Sequence, residues 1–184
     1  MHRHFRFAAA LAATLLLGGC FVSTTDLIAP ADADYPVADD ARFALHELDE
    51  DGARTGARPG IAHVSRDGDR YTMVVNDHGK PFTGLMKEID PNRGLYAVMA
   101  READADPAGG GLYVLLERDG DDWKRWGVVC PDFVALAEER DVALSDFGVT
   151  VENSDCVVKD FASLKKALLF AHEFGAPDAV YIAE

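Results

Sequence analysis

Two cysteines in the second half of the chain, Cys130 and Cys156, carry the side chains best suited to covalent chemistry. A cysteine acts as a nucleophile when a neighbouring base takes its proton, and His172 is the one histidine that follows Cys130 in the sequence. The same two thiols can instead form a disulfide, which would close a loop of about 27 residues. Such a bridge stabilises a fold by roughly 3–4 kcal/mol and is the expected state in an oxidising compartment.

The first twenty residues have the pattern of an export signal. A basic segment, residues 1–6, is followed by an uncharged apolar run, residues 7–17. This run of 11 residues is too short for a transmembrane helix, which needs about 20. The small residues Gly18 and Gly19 then precede Cys20 and suit cleavage by a signal peptidase. The alternatives are an ordinary signal peptide with an incidental cysteine and a short uncleaved anchor.

The tetrapeptide Leu17-Gly18-Gly19-Cys20 resembles the lipobox of bacterial lipoproteins, with Cys20 as the modified residue. The resemblance implies cleavage after Gly19, a diacylglyceryl thioether on Cys20 and a further acyl chain, such as palmitate, on its amino group. Phe21, where an aspartate would retain the protein at the inner membrane, is similar to the outer-membrane sorting signal of enteric bacteria. The resemblance therefore implies a lipid-anchored protein of the bacterial cell envelope, at the outer membrane and facing the periplasm.

Lipidation of Cys20 would leave Cys130 and Cys156 as an even pair in an oxidising compartment, where a disulfide between them is expected. Processing also removes Arg3 and Arg6, so the mature chain would hold 16 basic and 32 acidic side chains. Such a surface repels nucleic acids and anionic headgroups, and we expect no nucleic-acid partner. The lipid on Cys20 is expected to make the membrane contact.

The composition divides the chain into three parts. Residues 1–19 form the predicted signal peptide, residues 20–38 a predicted lipidated tether, and residues 39–184 a single globular domain. The predicted tether is rich in Ser, Thr, Pro, Ala and Asp. No second apolar run is long enough to span a membrane.

The histidines and acidic residues show no pattern typical of a metal or catalytic site. The mature chain would contain His46, His63, His78 and His172, and no two of them have the spacing of metal ligands. His46 and His63 lie on neighbouring predicted strands, where a shared site would also need a carboxylate such as Glu47 or Asp67. Residues 49–52 fit a turn better than a calcium loop. With no nucleophile elbow, phosphate loop or zinc-protease motif, the sequence predicts no metal, cofactor or catalytic residue.

The spacing of apolar runs and turns predicts an α+β fold. Six or seven antiparallel strands joined by short turns are expected between residues 41 and 130, as a meander that forms a curved sheet or small barrel. Two helices should pack on one face: residues 133–140, capped by Asp132, and 161–174, capped by Asp160. Residues 149–151 and 179–182 are expected to form further short strands. Trp123 and Trp126 should lie on opposite faces of one strand, one in the core and the other at an edge or free for a ligand.

Together these features favour a lipid-anchored binding or interaction module, and they do not favour an enzyme. The expected partners are the membrane, through the lipid on Cys20, and an envelope protein or small ligand. One alternative is an envelope structural or assembly factor, and another is an enzyme that depends on Cys130 or on His63 or His172. The spacing of the aromatic residues in 94–130 is similar to that of small exported bacterial proteins, a resemblance that implies no activity.

Overall fold

The computed structural model of the chain describes residues 21–76, 79–106 and 110–184, and it has the predicted α+β composition with two α-helices. The helices are α1 (Cys130–Glu139) and α2 (Phe161–Phe174), and 3-10 turns cover Pro30–Asp32 and Leu144–Phe147. The strands are β1 (Phe21–Val22), β2 (Ala41–Glu47), β3 (Gly60–Asp67), β4 (Arg70–Val75), β5 (Phe82–Asp90), β6 (Leu95–Glu102), β7 (Leu112–Asp119), β8 (Asp122–Trp126), β9 (Val149–Glu152), β10 (Asp155–Val158) and β11 (Ala179–Ala183).

Eight of these strands close into an antiparallel barrel, in the order β2 to β8 followed by β11. The predicted number of six or seven strands is wrong because of the last strand. Strands β2 to β8 are the seven runs expected from the sequence, and a seven-strand meander has two free edges. Strand β11 pairs with both of them, β2 on one side and β8 on the other, and so closes the barrel.

Alternate side chains of the barrel strands fill the interior with a largely aromatic core. Edge-to-face ring contacts join Phe43 to Tyr181, with centroids 6.3 Å apart, and Tyr96 to Trp123, at 5.5 Å. An eight-stranded barrel encloses just enough space for side chains. The interior is therefore a packed core, made of Phe43, Ala62, Tyr71, Met86, Tyr96, Trp123 and Tyr181 with partly buried neighbours.

The two helices cover the outer face of strands β5 to β7, where a second core forms. Leu85, Leu95 and Leu115 supply its strand side and are 0 % exposed. Phe133 of α1 and Leu168 of α2 supply its helix side. The barrel wall on this side is thus buried on both faces. For this reason the sequences of its strands are almost continuous runs of apolar residues.

The helices confirm one predicted boundary and correct another. Helix α2 has the predicted bounds, and the carboxylate of Asp160 accepts a hydrogen bond from the backbone N–H of Ser163 at 2.8 Å. Helix α1 begins three residues earlier than predicted, at Cys130, and Asp132 does not cap it. Pro131 explains the difference, because a proline in the first turn has the right φ and no N–H that needs a partner.

The predicted tether packs against the domain. Residues 1–20, which include the predicted signal peptide and Cys20, lie outside the described residues, but residues 21–38 are all described. Phe21 and Ile28 are 0 % exposed, and β1 pairs with both β7 and β10. Further along, the backbone N–H of Asp34 donates to the carbonyl of Met86 at 2.8 Å. Two buried side chains and backbone pairing are enough to make this polar segment part of the fold.

Candidate binding cleft

The predicted disulfide is formed between Cys130 and Cys156. Their sulfur atoms are 2.10 Å apart and their Cα atoms 5.2 Å apart. Both residues are buried, and the bridge joins the first residue of α1 to strand β10. Cys130 therefore has no free thiol, and the nucleophile on which a cysteine-dependent enzyme would rest is absent from this structure.

Among the described histidines, His46 and His63 do not form a shared site. His63 on β3 faces Arg42 of β2, and His46 lies four positions further along β2, about 13 Å along the strand. The hairpin therefore does not bring His46 and His63 together. His78 lies outside the described residues. Within the described ranges, no group of three His, Cys, Asp or Glu side chains could hold a metal ion.

His172 makes contacts that tie helix α2 to the barrel wall. Its Nε2 atom lies 3.1 Å from a carboxylate oxygen of Glu117 on β7. Its ring centroid lies 4.6 Å from that of Trp126 on β8. Because Cys130 is in a disulfide, His172 has no thiol to activate.

The two tryptophans lie on opposite faces of β8, as their spacing predicts. Trp123 belongs to the barrel interior, whereas Trp126 belongs to the core under the helices. Neither tryptophan stands clear of its core, since Trp123 and Trp126 are only 4 % and 7 % exposed, although Trp123 also lines a cleft at the barrel mouth. Both faces of β8 are covered at these positions.

One mouth of the barrel carries a cleft of about 330 Å³. The end of β7, the end of β11 and the starts of β2 and β8 surround it, and residues 36–41 form its wall. Phe43 and Trp123 of the aromatic core also line the cleft, so that its floor is apolar. Barrel mouths are common binding sites, and this volume is at the lower end of the range of about 300–1,000 Å³ for ligand pockets.

Tyr71 fixes the wall of this mouth cleft. Its hydroxyl donates to the carbonyl of Val37 at 2.9 Å and accepts from the N–H of Val37 at 3.1 Å. Burial raises the pKa of the Tyr71 hydroxyl, so that it keeps the proton that it donates. Beside it, the Tyr35 hydroxyl donates to the carbonyl of Asp69 at 2.8 Å. Through the hydroxyl of Tyr71, the aromatic core of the barrel therefore holds the wall of the mouth cleft in place.

The rim of the mouth cleft carries charges of both signs. The guanidinium carbon of Arg118 is 5.9 Å from the centroid of the Trp123 ring. Nε of Arg42 is 2.6 Å from a carboxylate oxygen of Glu184 in an exposed ion pair. Two further carboxylates line the cleft, Asp40 and Asp121. A cleft with an apolar floor and a rim of mixed charge suits a ligand that presents an apolar side chain on a polar backbone. It suits a highly charged molecule less well.

A second cleft, of about 230 Å³, lies at the end of β8 between α1 and α2. Its lining is mainly apolar and includes Val128, Phe133 and Leu136. Asp132 is its one charged lining residue. Because it is smaller and offers fewer polar groups to orient a ligand, the mouth cleft is the stronger candidate.

Sequence reasoning did not identify the mouth cleft. Its lining comes from three separate segments, residues 36–43, 118–123 and 183–184. Only the insertion of β11 between β2 and β8 brings these segments together. The one local signal was the pair Arg118 and Trp123 on either side of a predicted Asp-Gly turn, and such turns are common on protein surfaces.

Comparisons of the chain with protein-family models, with curated proteins and with solved structures found no match. In the part of the chain that the structure describes, no helix is both long and apolar enough to cross a bilayer. The function is therefore inferred from the residues of this chain, above all from the mouth cleft and the N-terminal motif.

Proposed function

We propose that this chain is a lipid-anchored protein of the bacterial envelope, facing the periplasm from the outer membrane, and that its domain binds a peptide segment of another envelope protein at the mouth cleft. The observation that carries the proposal is the cleft itself, with an aromatic floor formed by Phe43 and Trp123 inside a rim of mixed charge. The lipobox residues that end at Cys20 support the anchoring.

The size and chemistry of the cleft favour a peptide over a cofactor. A volume of about 330 Å³ accommodates one or two side chains. The ring of Trp123 offers an apolar surface, while Arg118 and Asp121 can bind the carbonyl and N–H groups of a backbone. The barrel interior beneath is filled by its own aromatic side chains, so binding takes place at the mouth.

The anchoring is tested by metabolic labelling of the native organism with radioactive palmitate. The full-length chain should incorporate label and sediment with the outer membrane, whereas Cys20→Ala should do neither. The double variant Cys130→Ala and Cys156→Ala serves as the control, because it removes both cysteines that the proposal leaves without lipid. A labelled Cys20→Ala variant would contradict the anchoring.

The binding site is tested by a photo-crosslinking amino acid placed at two exposed alanines. Ala38 lines the mouth cleft, whereas Ala53 lies in the turn after β2, at the other end of the barrel. We expect a defined adduct from position 38 in living cells, absent from position 53 and weakened several-fold by Arg118→Ala. Mass spectrometry then identifies the crosslinked peptide. Equal adducts at both positions, or no effect of Arg118→Ala, would rule out the cleft as the site.

A further inference from the structure

Strand β1 begins at the residue directly after Cys20 and is fixed on both sides. Phe21 pairs with Tyr113 of β7 and with Cys156 of β10, and its side chain is 0 % exposed. Its ring centroid is 4.9 Å from that of Phe133. Because consecutive Cα atoms are about 3.8 Å apart, any group attached to Cys20 begins within a few ångströms of this sheet. No flexible spacer lies between the predicted lipid and the domain.

The edge of β7 that β1 uses also limits how the chain can enter. Strand β6 occupies one edge of β7, so β1 and β8 share the other edge. Phe21 pairs there with Tyr113, and β8 takes over from Leu115, which pairs with Trp126. Only Val114 lies between the two pairings. Phe21, the entry point of the described chain into the domain, therefore lies at the gap that β8 leaves along this edge of β7.

The surface beside this entry point has an exposed apolar residue at its edge. Cys156 pairs with Phe21 on one side and with Val151 of β9 on the other, so the three residues form a row. Two strand spacings, about 10 Å, separate Val151 from Phe21. Val151 is 49 % exposed. No other large apolar side chain among the described residues is exposed to this extent. We call the surface of β1, β10 and β9 the β1 flank.

We infer that the lipid on Cys20 holds the domain directly against the bilayer with the β1 flank facing the membrane, an inference that rests on the proposed anchoring. Acyl chains supply the binding, and Val151 lies at the membrane surface beside them. Glu152 and Asp155 pair at the end of the β9–β10 hairpin, so attraction to anionic headgroups does not contribute. Arg118 lies five residues along β7 from Tyr113, about 17 Å, which leaves the mouth cleft accessible from the periplasm.

The test uses the full lipidated protein in phosphatidylcholine vesicles that contain nitroxide-labelled lipid. Val151→Cys adds one free thiol to a chain whose other cysteines are acylated or in the disulfide, so a maleimide fluorophore labels it alone. Ser65→Cys is the matched control, exposed on β3, which lies across the barrel from β7. We expect lipid quenching several-fold stronger at position 151 than at position 65. Asn153→Cys, in the exposed turn that follows β9 and two positions from Val151, repeats the measurement if Val151→Cys folds poorly.

A spacer variant and the pattern of quenching separate the possible results. A ten-residue Gly-Ser spacer inserted between Cys20 and Phe21 should abolish the difference between positions 151 and 65. If the protein is lipidated and binds vesicles, but the two positions are quenched equally, the inference is overturned and the anchoring stands. If position 151 is shielded from water without quenching by lipid, another copy of the chain covers the β1 flank and the inference is again wrong. A chain without lipid on Cys20 contradicts both the inference and the anchoring.

Discussion

At the scale of single residues, Tyr71 links the barrel core to the candidate cleft. Its ring packs in the interior, while its hydroxyl is bonded to both backbone groups of Val37 in the cleft wall. A hydroxyl can donate and accept at once, so one side chain satisfies both backbone groups. The shape of the cleft therefore depends on Tyr71, although Tyr71 does not itself line the cleft.

Replacement of Tyr71 by phenylalanine should loosen this wall. The substitution keeps the ring but leaves the N–H and carbonyl of Val37 without their partner, and we expect the free energy of unfolding to fall by about 1–2 kcal/mol. Urea denaturation measures the change. Tyr35→Phe is the control: it removes one bond to Asp69 at an exposed site and should cost less. Equal losses in the two variants would show that Tyr71 has no special role in the wall.

The Asp160 cap of α2 predicts a pH dependence. Hydrogen bonds from Ser163 lower the pKa of the Asp160 carboxyl below its ordinary value of 3.8. A carboxyl with a lowered pKa stabilises the folded state above its unfolded pKa, and this contribution disappears as the pH falls through the folded pKa.

Asp160→Asn should therefore remove part of this pH dependence. Asparagine also caps helices but does not titrate, so the advantage of the parent chain over the variant should be largest near neutral pH and fade below about pH 4. Thermal unfolding of both proteins across this range measures it. Asp132→Asn is the control, because Asp132 does not cap α1. A constant difference between the parent chain and Asp160→Asn at all pH values would contradict the prediction.

At the scale of elements, the disulfide fastens the hairpin of β9 and β10 to helix α1. Cys130 and Cys156 are separated by 26 positions in sequence, and the segment between them contains all of α1 and β9. Phe21 pairs with Cys156, so the bridge also holds the strand next to β1. Strand β1 and the first residue of α1 are thus both connected to strand β10 at Cys156.

The double substitution Cys130→Ala and Cys156→Ala should destabilise the domain by about 3–4 kcal/mol, because the unfolded chain regains the freedom of that loop. Removing both cysteines avoids a lone buried thiol. Urea denaturation of the variant should match that of the parent chain under strong reductant. If reduction leaves the stability of the parent chain unchanged, the bridge is not formed in solution.

At the scale of the whole molecule, the fold depends on both ends of the domain. Strand β11 at the C-terminus closes the barrel between β2 and β8, and strand β1 at the N-terminus joins the barrel to the β9–β10 hairpin. Both connections are between segments far apart in sequence. Residues 21–38, which composition alone marks as a tether, therefore pack as part of the described fold.

Phe21→Ala tests the role of the N-terminal segment in the fold. Phe21 is 0 % exposed and contacts the ring of Phe133, so truncation should lower the free energy of unfolding by about 3–5 kcal/mol. Thr24→Ala, an exposed change in the same segment, should alter it by less than about 0.5 kcal/mol. Thermal or urea unfolding distinguishes them. Similar small effects in both variants would mean that the segment behaves as the tether that its composition suggested.

The elements that could be predicted were those with a strong local pattern. The seven runs of the meander follow from alternation and turn residues, and α2 follows from Asp160 and the apolar spacing after it. The start of α1 was missed because Asp132 is a good cap and Pro131 a better first-turn residue, and the two signals compete. The opposite faces of Trp123 and Trp126 were predicted, but not that both are covered, because spacing gives the face of a strand and not what covers it.

By itself, the sequence determined the strand and helix types and the disulfide partners, since each depends on short-range patterns or on a count of cysteines. The export signal is a prediction from the same kind of short-range pattern. Only the tertiary structure decided the number of strands in the barrel, the membership of Phe21 in the fold and the existence of the mouth cleft. Each of these depends on contacts between segments distant in the chain, whose free energy comes from burial and backbone pairing that no local pattern records.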